Sequence, residues 1–249
     1  MTGDDGERLD MALVARGLAP TRSRARDLVV RGLVSVDGTA VVKPAMIVRA
    51  GTTISVAGDE AFLASRGGVK LKAAFEAFGF DPAGKIALDV GASTGGFTEL
   101  LLARGAAKVY AVDVGHDQLH PRLKSDPRVI SLEGQDSRTL DANLIPDAIN
   151  AIVADVSFIS LMKALPAALA LAAPDAWLVV LVKPQFEVGR EGVGKGGIVR
   201  DDVMRTTTLA SIALWLKDDM GWRVRPPIVS PIVGGSGNTE FFLGATRHD

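Results

Sequence analysis

The chain has 249 residues, 47% apolar and 23% charged, with a formal net charge of −1. That balance excludes wholesale disorder, and the absence of cysteine excludes a disulfide scaffold and any thiolate metal site. Three histidines, at 116, 120 and 248, are too few and too poorly spaced for a histidine zinc site, so no metal is expected.

The N-terminus, MTGDDGER, is acidic where a secretion signal is basic, and no apolar stretch follows it. With the lack of cysteine, this fits a reducing, cytoplasmic location. From Glu7 to Ala57 the chain holds eight Arg/Lys against four Asp/Glu, net +4, while the remainder is net −5. Such asymmetry points to a nucleic-acid-binding module on a larger body. Arg16, Arg22, Arg24, Arg26 and Arg31 crowd one stretch in which only Asp27 opposes them. Leu9, Leu13 and Val14 predict one helix face, ended by Gly17-Leu-Ala-Pro20. A second helix, capped by Thr21 or Ser23, buries Ala25, Leu28 and Val29 and turns its arginines outward. Leu33–Val36, Val41-Val42 and Ile54–Val56 read as short strands, with Asp37-Gly38 as a hairpin turn. The alternative is a solvated charged face without a partner.

The run RLDMALVARGLAPTRSRARDLVVRGLVSVDG resembles the small RNA-binding domain named for ribosomal protein S4, over residues 7–57. The resemblance implies that the two-helix face binds structured RNA through Arg8, Arg16, Arg22, Arg24, Arg26 and Arg31, joined by Arg66 at the end of a linker. The expected boundaries are 1–58 for this domain, 59–66 for the linker and 67–249 for a second domain.

Beyond the linker, apolar runs alternate with helical patterns: Ile86–Val90, Val109–Val112, Val129–Leu132, Ile149–Val153, Trp177–Val182, Val224–Val229 and Phe241–Leu243. This predicts an α/β fold, a Rossmann-like parallel sheet with helices on both faces. Leu161–Val182 is long enough to span a bilayer but is interrupted by Lys163, Pro166, Pro174 and Asp175. It reads instead as a helix to Ala173, a Pro174-Asp175 turn, then a strand.

The segment Ile86-Ala-Leu-Asp89-Val-Gly91-Ala-Ser93-Thr-Gly95-Gly96-Phe97 runs from a buried strand through a glycine-rich turn into a helix. Such a turn admits a ligand at the carboxyl edge of the sheet. Ser93 stands where a dinucleotide fold needs its second glycine, so S-adenosylmethionine fits better than a pyrophosphate. Asp89 is placed for the ammonium of that cofactor, Asp113 for its ribose hydroxyls and Asp136 for its adenine. Lys70, Asp155, Lys183 and Glu240 are then gathered by topology. The two middle residues end adjacent parallel strands, Lys70 starts a helix at the same edge, and Glu240 starts an antiparallel last strand. A lysine beside a sugar hydroxyl stabilises developing negative charge, and burial lets it accept the proton. Lys183 is the central residue of this reading and Asp155 its partner; Lys70 and Glu240 position them. Two purely structural ion pairs are the alternative. GREGVGKGG, 189–197, reads as a loop able to clamp a phosphate backbone. Phe158 and Phe186 either stack on a displaced base or pack in the core, the default for large apolar side chains.

The order Lys…Asp…Lys…Glu resembles the tetrad of FtsJ-like ribose 2′-O-methyltransferases. SRGGVKL, LDVGASTGGFTE, YAVDVGHDQL, ADVSFISL, LVKPQFEVGR, GKGGIVRD and GNTEFF are similar to phrases of the TlyA family. The resemblance implies methylation of a cytidine 2′-oxygen in ribosomal RNA, with ribosomal RNA or a ribosomal subunit as partner. No stable membrane partner is expected, and the pattern sets no oligomeric state. Other readings are a membrane-active hemolysin, an RNA-binding protein with a vestigial pocket, and methylation of a base nitrogen.

Overall fold

The computed structural model describes residues 6–19, 21–30, 32–56, 66–234 and 237–247, without the side chains of Arg24, Asp27, Arg66 and Arg190. The chain divides into two compact units, Met1–Val69 and Lys70–Asp249. Of the expected linker, only the backbone of Arg66 lies among the described residues.

The first unit runs β1 (Glu7–Arg8), α1 (Leu9–Ala15), α2 (Arg22–Val30), β2 (Val34–Val36), β3 (Thr39–Val41), β4 (Ile47–Val48) and β5 (Ile54–Val56). Strands β3-β2-β5 form an antiparallel sheet, and β1 pairs with β4. Leu9, Ala12 and Leu13 of α1 pack on Ala25, Leu28 and Val29 of α2 and on Val34, Val36 and Val48. The expected Val14 is exposed, since five residues after Leu9 it has rotated off the apolar stripe and Ala12 takes its place. The β2–β3 hairpin turns on Asp37 and Gly38, both with positive φ (48° and 81°), as its two-residue loop demands.

The second unit opens within α3 (Arg66–Phe78), which begins four residues ahead of the division. Its main elements are β6 (Ile86–Val90), α4 (Gly96–Ala103), β7 (Lys108–Asp113), α5 (Pro121–Lys124), β8 (Val129–Glu133), β9 (Ile149–Ala154), α6 (Leu161–Ala164), α7 (Pro166–Ala170) and β10 (Ala172–Val182). Then come α8 (Pro184–Glu187), α9 (Asp202–Asp218), β11 (Trp222–Val224), β12 (Ile228–Val229) and β13 (Phe241–Arg247). The sheet order is β11-β13-β10-β9-β6-β7-β8, with β12 also on β13. Strands β6 to β10 are parallel and β13 is antiparallel to β10. This is the expected α/β fold. The order reverses between β6 and β9, and a doubly wound sheet opens a crevice at such a reversal, outside its carboxyl ends.

Three local expectations change. The helix expected up to Ala173 is two short helices, because Pro166 lacks an amide proton and restarts the spiral after Leu165. Pro174 and Asp175 lie within β10, in a register shift between Ala172 and Trp177, rather than in a turn before it. Pairing with β13 begins only at Trp177, so the missing Pro174 amide costs no ladder bond there. The run Val224–Val229 is two strands, parted by Pro226-Pro227. No helix among the described residues is long and apolar enough to cross a membrane.

Helix α3 is seated on β13 by a missing side chain. A Cβ on the buried Gly244 would lie 2.8 Å from the Phe78 ring. Gly244→Ala is therefore expected to destabilise the protein by about 1–3 kcal/mol through overpacking, read as a fall in thermal midpoint.

Candidate active site

At the reversal point the glycine-rich turn is shaped by its neighbours. Gly91 has φ +84°, and a Cβ there would lie 2.7 Å from the Asp155 carbonyl oxygen. The amide of Asp155 donates to Val90 O at 2.9 Å, so the ends of β6 and β9 are closed on each other at this residue. Gly95, φ +95°, starts α4, and a Cβ there would strike Leu123 and Leu119. A cleft of about 530 Å³ opens beside the turn, lined by Gly91 and Ser93, by Asp113, Val114 and Gln118, by Asp136 and Arg138, and by the segment Asp155–Ile159.

The predicted cofactor residues separate into two groups. Gly91, Ser93, Asp113 and Asp136 line the cleft. Asp89, Gly95, Gly96 and Phe97 do not: all four are buried, and the Phe97 ring faces Phe242 at 6.5 Å. Asp113 accepts the Ser93 and Gly115 amides at 2.8 and 2.7 Å, which fixes the turn above it. Asp136 caps the short helical turn Ser137–Thr139 and pairs with Arg138 at 2.6 Å, so its carboxyl is held down at about 2. Asp89 has the opposite environment. Burial pushes its carboxyl up to about 7, against the hydrogen bond from Thr98 at 2.7 Å and helped by the charge of Asp155. Its second oxygen, Oδ1, has no hydrogen-bond partner among the described residues.

The predicted tetrad occupies the same edge as two ion pairs. Lys70 Nζ meets Glu240 Oε2 at 2.5 Å, both nearly buried. Lys183 Nζ meets Asp155 Oδ1 at 2.6 Å. Lys70 lies one turn inside α3 rather than at its start. The register Val182↔Phe241 brings Lys183, next after β10, beside Glu240, just before β13.

Sequence reasoning missed four participants. Lys183 also donates to Ser157 Oγ at 2.8 Å; a hydroxyl two residues past Asp155 was the available signal. Gln118 and Val114 line the cleft. Glu133 Oε1 accepts the amides of Gln118 and Leu119, while Lys124 holds Oε2 at 2.5 Å and keeps the carboxyl at about 2. Phe158 departs from the burial default. It is 91% exposed, lines the cleft, and its ring centroid lies 5.0 Å from that of the half-buried Phe186. Within 189–197, residues 190–192 form a short helical turn and 194–197 are exposed.

In the first unit, Asp10 draws in arginines expected to project freely. Its fully buried carboxylate accepts two bonds from Arg8 at 3.0 Å and one from Arg22 Nε at 3.1 Å. The Arg8 hydrogen bonds, then those of Arg22, hold Asp10 at about 2. Arg16 donates to the Thr52 carbonyl at 2.6 Å. Arg26 is exposed. Arg31 and the side chains of Arg24 and Arg66 lie outside the described residues.

A family model described as FtsJ-like methyltransferase matches residues 63–247. The chain belongs to that family. A model of the S4 domain matches residues 7–54. The chain is 47% identical to the 16S/23S rRNA (cytidine-2′-O)-methyltransferase TlyA of Mycobacterium tuberculosis, over 95% of this chain and 88% of the relative. It is 41% identical to Hemolysin A of Brachyspira hyodysenteriae, over 94% of this chain and 97% of that one. A solved structure from Streptococcus thermophilus, described as a hemolysin, superposes with a TM-score of 0.74 at 38% identity, covering 99% of this chain and 90% of that one. The chain is thus an FtsJ-like methyltransferase of the TlyA type with an N-terminal S4 domain.

The buried carboxyl of Asp89 makes a pH prediction. Its folded value lies above the ordinary 3.8, so its contribution to stability is complete below 3.8 and lost as pH rises through about 7. Asp10, Glu133 and Asp136, held at about 2, act oppositely and lose their contribution only as pH falls below the ordinary carboxylate range toward 2. Asp89→Asn keeps the Thr98 acceptor, and it is expected to flatten the fall in thermal midpoint between pH 3.8 and about 7.

Proposed function

We propose that this protein transfers a methyl group from S-adenosylmethionine to the 2′-oxygen of a cytidine in ribosomal RNA, in the cytoplasm. The observation that carries the reading is Lys183, held by Asp155 and Ser157, two residues that line a nucleoside-sized cleft at the sheet reversal. The TlyA relative of M. tuberculosis, similar over 95% of this chain, supports the choice of substrate.

The donor set suits the cofactor. Asp113 and Asp136 offer carboxylates on one side, for ribose and adenine. Val112, Val114 and Ile159 supply apolar wall for a flat ring. Ser93 and the missing side chain of Gly91 leave room at the turn. When bound, S-adenosylmethionine supplies an electrophilic methyl group on its sulfonium. Lys183 Nζ stabilises the charge that grows on the attacking ribose oxygen, and the Lys183–Asp155 pair passes the hydroxyl proton to the open cleft. Lys70 and Glu240 close the adjacent edge as a neutral pair. Phe158, exposed beside Phe186, stacks on the extruded cytosine, because a ribose inside folded RNA is reached only by displacing its nucleotide. The S4 domain, in the unit of residues 1–69, holds the RNA, with Arg22 and Arg26 facing phosphates.

Tritium transfer from labelled S-adenosylmethionine to unmethylated ribosomal subunits tests the reading. Label is expected in alkali-resistant dinucleotides, which places it on a ribose; label confined to bases rejects the reading. Lys183→Ala is expected to cost at least about 100-fold in rate, the scale of losing a charge-stabilising donor. Phe158→Ala is expected to weaken use of RNA about 10-fold, the scale of one base-stacking contact, with a smaller effect on cofactor affinity.

A further inference from the structure

Two segments leave the carboxyl edge side by side: 155–161 after β9 and 183–187 after β10. Three side chains of the second segment, each making its own contact with the first, lace them together. Lys183 reaches Asp155 and Ser157, and Phe186 meets Phe158. At the far end Glu187 Oε1 accepts the Leu161 amide at 2.9 Å. The first two contacts belong to the reaction proposed above; the third has no assigned purpose.

That third contact is made against a cost. Glu187 is partly buried, and desolvation raises its carboxyl, opposed by hydrogen bonds from the Leu161 amide and from Ser160. Between the ties at Ser157 and Leu161 sits Phe158, with φ +65°. A bulky side chain avoids that left-handed region and stays there only when its surroundings over-determine it. Its ring, 91% exposed, has too few contacts of its own to impose the conformation. The backbone must therefore be gripped on both sides, and Lys183 supplies only the upstream grip.

We propose that Glu187 is a positioning residue that, through the Leu161 amide, holds residues 157–161 in the conformation presenting Phe158 to the target nucleotide. This rests on the methyltransferase reading above. Without the Glu187 grip, the segment relaxes toward an ordinary backbone and Phe158 swings from the rim; the cofactor walls on β6 and β7 stay in place, and of the ring contacts only Ile159 moves with the segment.

The test uses the full chain with Glu187→Ala and Glu187→Gln, the latter keeping an acceptor oxygen. Hydrogen exchange of the amides of residues 157–161 is expected to rise about 10-fold in Glu187→Ala, the scale of one lost hydrogen bond, and to return toward wild type in Glu187→Gln. Unchanged exchange in Glu187→Ala overturns the proposal whatever the enzyme does. In the methylation assay, Glu187→Ala is expected to lose about 10-fold on the RNA side, the scale of one stacking contact, with a smaller loss on the cofactor side, where Ile159 of the same segment lines the cleft. Adding it to Phe158→Ala should cost nothing more on the RNA side, since the two act as one unit. Full additivity of the pair, or a loss of cofactor affinity as large as the loss on the RNA side, assigns Glu187 to general packing and rejects the positioning role. A wild-type protein that transfers no label rejects the reaction instead, and hydrogen exchange still decides whether the grip exists.

Discussion

Asp155 is where the two halves of the site are joined, and it serves each with a different group. Its amide closes β9 onto β6 at Val90, its carbonyl fills the space that any side chain at position 91 would need, and its carboxylate holds Lys183. The close approach at Gly91 is thus more than a convenience of the turn. A Cβ there would push Asp155 outward and carry the lysine with it, so the shape of the cofactor wall and the position of the proposed reacting group share one constraint. Because parallel strands end at a common edge, a displacement of this kind reaches the reaction with no flexible link to absorb it.

Two acids on neighbouring strand ends show how position in the sheet divides labour. Asp89 and Asp113 sit near the ends of β6 and β7. Asp89 points into the packed interior, where lost hydration raises its carboxyl to about 7 and Thr98 is its one hydrogen-bonding neighbour among the described residues. Asp113 faces the cleft and fixes the turn by accepting two backbone amides. One acid organises the helix that follows the turn, and the other the loop that a ligand would touch. A sequence pattern with an acid at each strand end does not distinguish them; the sidedness of each residue does.

That difference marks the limit of what the residues disclose before folding. The parallel sheet and the gathering of Lys70, Asp155, Lys183 and Glu240 at one edge were legible, because three of them lie at strand ends and Lys70 lies one turn into a helix, and topology sends those ends to one edge. Gly95, Gly96 and Phe97 read as ligand contacts, yet they shape the helix start and the core, because a glycine-rich turn serves backbone geometry and ligand approach with the same residues. Phe158 ran the other way: size predicts burial, but a left-handed backbone turns it out. The clamp of Arg8 and Arg22 on Asp10 was hidden because Arg22 reaches across twelve residues from another helix, beyond any local spacing rule. Ser157 was missed because a hydroxyl two residues past Asp155 does not, by spacing alone, point to a lysine at the end of the neighbouring strand, 26 residues on.

The buried Lys70–Glu240 pair bears on why a site of this kind keeps two ion pairs. As an attachment between α3 and β13 it is a poor device, since a buried pair returns little net stability over apolar residues of similar volume. The attachment is already made by apolar contact, with Phe78 lying against the bare Gly244. A carboxylate alone beside Lys183 would compete with Asp155 for the ammonium, and an ammonium alone would raise the local potential and repel the charge of Lys183. Pairing the two at 2.5 Å keeps that end of the sheet close to neutral while leaving Lys183 and Asp155 matched to each other. On this argument the second pair insulates the first. Its removal as a unit should then disturb the reaction less than the loss of either member, because a single deletion leaves a bare charge in a nearly dry wall.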